Sequence, residues 1–168
     1  MDPVTALQKC GGAARMPALR ALGVRDSGIR AAVKRTLIVR AGRGGYALPN
    51  ASPELVKAVE LCAVVSHASA AALHGLCLWC PPAVLELTVP RNTQSVAEGV
   101  LIHRADLSDA DRDQFRAVTS VERTLVDCGR TMGLLVHLPA AEGARGHRGD
   151  AAAGSTAWVT GADHNRKS

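Results

Sequence analysis

Aromatic side chains are almost missing from this chain: Phe, Tyr and Trp together make up 2% of its 168 residues. Hydrophobic residues still account for 47%, so a packed core is expected, built from Ala, Val and Leu. The shortage of stacking platforms argues against single-strand or RNA recognition. No run approaches the roughly eighteen apolar residues of a membrane span. Met1-Asp2-Pro3 opens with an acid and a proline, unlike a secretory signal. A cytoplasmic protein without membrane partners is expected, and its five cysteines, odd in number and irregularly spaced, read as reduced thiols.

The usual catalytic and metal-binding patterns are also lacking. Cys77-Leu78-Trp79-Cys80 is a single CxxC with no second pair, and Cys62, His67 and His74 nearby do not form HxxxH. Pro81-Pro82 follows directly, where a redox motif would open a helix. The thiols therefore read as small buried hydrophobes. Gly42-Arg43-Gly44-Gly45 lacks the Lys-Ser/Thr of a phosphate loop. Asp109, Asp111, Asp113, Glu122 and Asp127 have no partner lysine, none occurring between Lys57 and Lys167, so a metal-dependent nuclease is not expected. Those acids read as solvated charges, with Glu122-Arg123 an internal ion pair or cap. No enzyme activity, catalytic residue, metal or cofactor is expected.

What the chain does have is basic charge in one place. Residues 1–50 carry nine Lys/Arg against Asp2 and Asp26, a net +7; the other 118 residues carry eleven bases and thirteen acids, a net −2. Basicity concentrated in one segment is the footprint of a nucleic-acid-binding module, although a solvated basic face gives the same count.

An α+β fold in three segments is expected. In 1–50, helices are predicted over Pro3–Cys10, from Pro17 to a stop at Gly23, and from Asp26 or Ser27 to Arg35, with Ile29, Ala32 and Val33 facing inward. Leu37–Arg40 and Tyr46–Leu48 around a Gly-rich turn predict a hairpin. That order is a winged helix-turn-helix. Segment 51–135 reads as a small mixed α/β unit. Its helices are a helix capped by Ser52 running towards Val65, an Ala-rich helix over Ser66–Leu76, and one from Val121 to Cys128 stopped by Gly129. Its strands are Val84–Val89 and Val100–His103. Segment 136–168 is Gly/Ala/Arg-rich and unpatterned, and is expected to be a disordered tail.

In a helix-turn-helix the second helix of the pair enters the major groove. Ser27, Arg30, Ala31 and Lys34 form one i, i+3, i+4, i+7 stripe on that helix. Arg30 suits a bidentate contact to guanine, Lys34 and Arg35 suit phosphates, and Arg40 and Arg43 lie on the wing. Gly42, Gly44 and Gly45 would let the wing approach DNA closely. Taken singly, Lys34 and Arg35 could equally complement the helix dipole, and Arg40 and Arg43 blunt a sheet edge.

An ordered series of segments then resembles a known family. It runs Gly12-Ala13-Ala14-Arg15, Leu19–Val24, Ile29–Arg35, Leu37–Arg40, Gly44–Pro49, Val65–Leu76, Leu87–Arg91, His103-Arg104-Ala105 and Val118–Asp127. The series, over about residues 1–135, is similar to AbiEi-type antitoxins, the transcriptional-repressor halves of type IV toxin–antitoxin systems. The resemblance implies a winged helix that binds inverted repeats in its own promoter. It also implies a second domain that opposes a nucleotidyltransferase-type toxin without a stable complex. It carries DNA binding onto Arg30, Lys34, Arg35, Arg40, Arg43 and Tyr46.

Four departures stand out. Arg25 occupies the position of a small polar cap, so Asp26 or Ser27 is expected to cap. Asp26 brings an acid towards the DNA. Gly28 costs the helix about 1 kcal/mol against Ala. The tail replaces the helical continuation of relatives, as in a truncated or frameshifted member. Two rival readings are an N-terminal remnant of an endonuclease-like protein and a protein-interaction module without DNA binding.

Overall fold

The computed structural model describes residues 1–78, 81–94 and 97–132. The expected disordered tail, 136–168, lies outside these residues, as do Trp79 and Cys80 of the CxxC. Among the described residues the fold is mixed α+β, with six helices and two three-stranded sheets.

The N-terminal part runs α1 (Pro3–Lys9), β1 (Ala13–Arg15), α2 (Met16–Ala21), α3 (Asp26–Lys34), β2 (Val39–Arg40) and β3 (Gly45–Ala47). Its antiparallel sheet has the order β1-β3-β2, with Ala14 opposite Tyr46 and Arg40 opposite Tyr46 on the other side. Strand β1 is not anticipated by the sequence pattern: three residues are too few to display alternation, and pairing with β3 creates the strand. Asp2 caps α1, its carboxylate accepting from the Val4 amide at 2.9 Å, with Pro3 at the first helical position. Leu7, Leu19, Ile29, Ile38 and Tyr46 bring three helices and the hairpin into one buried cluster.

The start of α3 differs from expectation. Neither Asp26 nor Ser27 caps it; the N-cap is Arg25, without a side-chain hydrogen bond. Asp26 is instead the first helical residue, and Arg20 of α2 grips it in a fork, Nε to Oδ1 at 3.0 Å and Nη2 to Oδ2 at 2.7 Å. Gly28 faces Pro3, whose Cγ lies 3.6 Å from where a Cβ would stand, ordinary van der Waals contact. The strand expected over Leu37–Arg40 shrinks to Val39–Arg40, because the backbone of Thr36 and Leu37 closes α3. Their amides donate to the Val33 and Ala32 carbonyls. Thr36 makes that turn at φ 55°, a left-handed conformation that usually falls to glycine.

The chain continues through α4 (Pro53–Glu60), β4 (Val64–Val65), α5 (His67–Leu73), β5 (Leu85–Val89), β6 (Val100–Arg104) and α6 (Val121–Met132). The second sheet has the order β4-β5-β6, antiparallel between β4 and β5 and parallel between β5 and β6. Helix α4 stops well short of Val65: Cys62, at φ 55°, closes it as Thr36 closes α3, and frees Val64 and Val65 to form a strand. The Ser52 hydroxyl contacts the Glu54 carboxylate and makes no capping hydrogen bond. Gly129 does not stop α6, which passes through it to Met132; the amide of Arg123 instead donates to Ser120 Oγ at the other end.

One buried cluster crosses residue 50. Ala13 and Ala47 of the first sheet and Ala41 of the hairpin turn share it with Leu55, Ala58 and Val59 of α4, and with Val65, Leu87, Val89 and Val118 around the second sheet. The alanines let α4 lie close against the first sheet, which suits a core with few aromatics.

Candidate nucleic-acid interface

On α3 the inward face is Ile29 and Ala32, both buried, and Ser27, Arg30, Ala31 and Lys34 are all exposed. The expected stripe therefore exists as a solvent-facing surface. Arg35 caps the helix C-terminus and is also exposed. Arg40 on β2 and Arg43 in the β2–β3 turn are exposed as well, so five cations, with Ser27, face solvent on one helix and the hairpin that follows it.

Tyr46 does not join them. It is only 6% exposed and packs in the N-terminal core, so its side chain is not part of that exposed surface. The Arg40 guanidinium lies 5.8 Å from the centre of its ring, a cation–π contact that restrains Arg40 at the surface. Asp26 is likewise not a free acid at the mouth of this surface. The Arg20 guanidinium beside it, helped by Arg30, holds its carboxyl below the ordinary range, and the pair presents no net charge.

The hairpin glycines have a different reason from the one expected. A Cβ on Gly45 would meet the Ala41 carbonyl oxygen at 2.0 Å and Val59 Cγ1 at 2.5 Å, and one on Gly42 would meet Glu60 Cα at 2.9 Å. These two glycines seat the base of the hairpin on the end of α4. At Gly44 alone is the surrounding space open, at φ 72°.

Elsewhere Asp111, Asp113 and Asp127 are held by local partners. Asp111 accepts from the Ser108 amide and hydroxyl, and Asp113 accepts from the Phe115 and Arg116 amides and from the Arg116 guanidinium. Arg123 pairs with Asp127 at 2.9 Å and Asp111 at 3.5 Å, not with Glu122 as expected. Thr119 and Thr124 exchange a 2.8 Å hydrogen bond, and the His74 Nε2–H donates to the Thr119 carbonyl at 2.7 Å. Burial lowers the affinity of His74 for a proton, and Arg116 donating to its Nδ1 keeps the ring neutral. The thiols divide: Cys10 and Cys128 are buried, whereas Cys62 and Cys77 are exposed, which corrects the reading of both as buried hydrophobes.

One polar group escaped the sequence reading. His67 of α5, Glu86 of β5 and His103 of β6 place their nitrogen and carboxylate ligand atoms within 4.8 Å of one another. The three are scattered over 36 positions, so no spacing motif marks them. The period-two alternation of β5, with Glu86 and Thr88 between Leu85, Leu87 and Val89, was the available signal.

No protein-family model matches the chain, and no curated protein matches it in sequence. No helix among the described residues is long and apolar enough to cross a membrane.

Proposed function

We propose that residues 1–50 are a winged helix-turn-helix that binds double-stranded DNA, with α3 in the major groove and the β2–β3 hairpin as the wing. The observation that carries this is the exposed set Ser27, Arg30, Lys34, Arg35, Arg40 and Arg43 on a helix–strand–helix–helix–hairpin frame. A major groove admits one helix, and an Arg on its exposed stripe reaches guanine O6 and N7 in a bidentate contact. The fork between Arg20 and Asp26 supports the reading, since it joins α2 to the start of α3 and neutralises the acid nearest the groove. Lys34, Arg35, Arg40 and Arg43 are assigned to phosphates, and Tyr46 to holding Arg40 in place.

The ordered resemblance to AbiEi-type antitoxins extends this to a cytoplasmic transcriptional repressor without catalysis of its own. In that reading it acts on inverted repeats in its own promoter, and residues 51–135 oppose a nucleotidyltransferase-type toxin without a stable complex. The test is a mobility shift with the duplex upstream of the chain's own gene against a scrambled duplex of equal length. Preferential binding to the upstream duplex, lost in Arg30→Ala, is expected. Equal binding to both duplexes removes the repressor reading, and binding to neither removes the DNA reading altogether.

A further inference from the structure

The second sheet has two unlike faces. Leu87 and Val89 point into the cluster shared with α4, whereas Glu86, Thr88 and His103 form the other face, against Ser66 and His67 at the start of α5. A sheet face covered by a helix is ordinarily apolar, and polar groups placed there cost stability unless something satisfies them. We propose that His67, Glu86 and His103 form a binding site for one first-row transition-metal dication, with zinc as the representative ion.

The donor set is two imidazoles and one carboxylate from three separate elements, the composition of open zinc and related sites that leave a fourth position for water. The two rings stack 3.6 Å apart and 15° from parallel, and His103 Nε2 lies 2.8 Å from Glu86 Oε2. Nitrogen donors on one tetrahedral ion stand about 3.3 Å from each other, from bond lengths of about 2.0 Å. The stacked rings aim their lone pairs along nearly parallel planes, so chelation requires one ring to turn out of the stack until both nitrogens face a common point. The ion would replace the proton between His103 and Glu86. His67 is fixed from behind: its Nδ1 is 2.9 Å from Ser66 Oγ, which accepts from the Thr88 hydroxyl at 2.8 Å. With the Nδ1–H donating to Ser66, Nε2 keeps its lone pair for a metal, the arrangement in which an outer partner sets the tautomer of a ligating histidine.

Two further features suit an ion. His67 is buried yet holds φ at 52°, a strained conformation for a residue with a Cβ, of the sort concentrated at binding sites. The side chains of Glu86 and His103 keep 12% and 23% of their exposure, so the cluster has a way in from solvent. Arg123 is the opposing cation nearby, and Asp127 and Asp111 neutralise it. Bound there, the ion would join α5, β5 and β6, and its loading would raise the melting temperature.

The test uses the full chain stripped with a chelator and titrated with zinc alone by calorimetry. One saturable equivalent is expected with a dissociation constant tighter than about 0.1 mM. Cobalt substitution should show visible d–d bands without thiolate charge transfer. Histidine nitrogen NMR of the unmutated chain should show His67 and His103 shifting on zinc addition and His74 not. Glu86→Gln and His103→Asn should each weaken binding about tenfold or more, while Cys62→Ser and Cys77→Ser leave it unchanged. Binding weaker than that limit, thiolate bands, or unshifted His67 and His103 signals would overturn the proposal whether or not the variants fold.

Discussion

The salt dependence of DNA binding tests the interface most sharply, because the structure specifies which cations are free. Arg30, Lys34, Arg35, Arg40 and Arg43 are exposed, whereas Arg20 is held by Asp26. Each phosphate neutralised contributes about −0.9 to the slope of log K against log salt, so four to five contacts give a slope of about −3.6 to −4.5. Raising salt from about 50 to about 200 mM should then weaken binding roughly 150- to 500-fold. Arg43→Ala should bring the slope up by about 0.9 and weaken all duplexes alike, so that its deficit against the parent shrinks about 3.5-fold over the same salt range. Arg30→Ala should instead reduce the preference for the cognate duplex, at a cost of about 1–3 kcal/mol there and less elsewhere. The double change Arg20→Ala/Asp26→Ala removes a neutral pair and should leave the slope where it was. Fluorescence anisotropy on labelled duplexes at four salt concentrations reads all of these. A slope shallower than about −2, or identical behaviour of Arg30→Ala and Arg43→Ala, refutes the assignment.

Four other outcomes follow from the fold. Gly45→Ala should destabilise by about 3 kcal/mol or more, since the Ala41 carbonyl it would strike is backbone and cannot rotate away, whereas Gly44→Ala should lose only about 1 kcal/mol; urea melts compare them. Thr36→Gly should stabilise by about 1 kcal/mol by relieving the left-handed closure of α3, and an unchanged or lower midpoint would contradict that account. Cys62 and Cys77 should react with a thiol reagent in the folded protein, while Cys10 and Cys128 should react only on unfolding. Burial with Glu86 and Asp127 nearby pushes the Cys128 thiol up to about 11, and mass spectrometry of labelled peptides checks the division. His67 and His74 both bind protons more weakly in the fold than the ordinary imidazole value of 6.5. The unfolded chain therefore takes up more protons below that value, and the stability present above pH 6.5 is lost as pH falls through the lowered values. Urea midpoints flat between about pH 7.5 and pH 5 would show the rings to be open to water.

Much of the secondary structure is legible without the tertiary structure because it rests on local signals. Apolar residues at helical spacing mark α1, α3 and α6, and alternation or short apolar runs mark β5 and β6. Glycines at positive φ end α1, α2 and α5 where the pattern says they should. Where the signal is absent the reading fails for the same reason. Thr36 and Cys62 adopt the left-handed turn without being glycine, so the end of α3 intrudes on the expected first hairpin strand and α4 is read too long. Gly129 stays inside a helix because α5 and the segment that follows it pack against α6, and a glycine alone does not stop a packed helix.

The charge asymmetry, the stripe Ser27, Arg30, Ala31 and Lys34, and the mixed α+β character are already written in the chain, since each depends on composition or on the periodicity of one element. Packing in three dimensions is what ties Arg20 to Asp26 and sets which glycines lie against neighbouring backbone. It also buried Tyr46 beneath Arg40 and brought His67, Glu86 and His103 together. Those outcomes are pair properties: a guanidinium is free or held according to what faces it, and the residue that faces it here comes from another element of the chain. Spacing along one helix or strand carries no record of that partner. Packing does, because every buried polar group must find one.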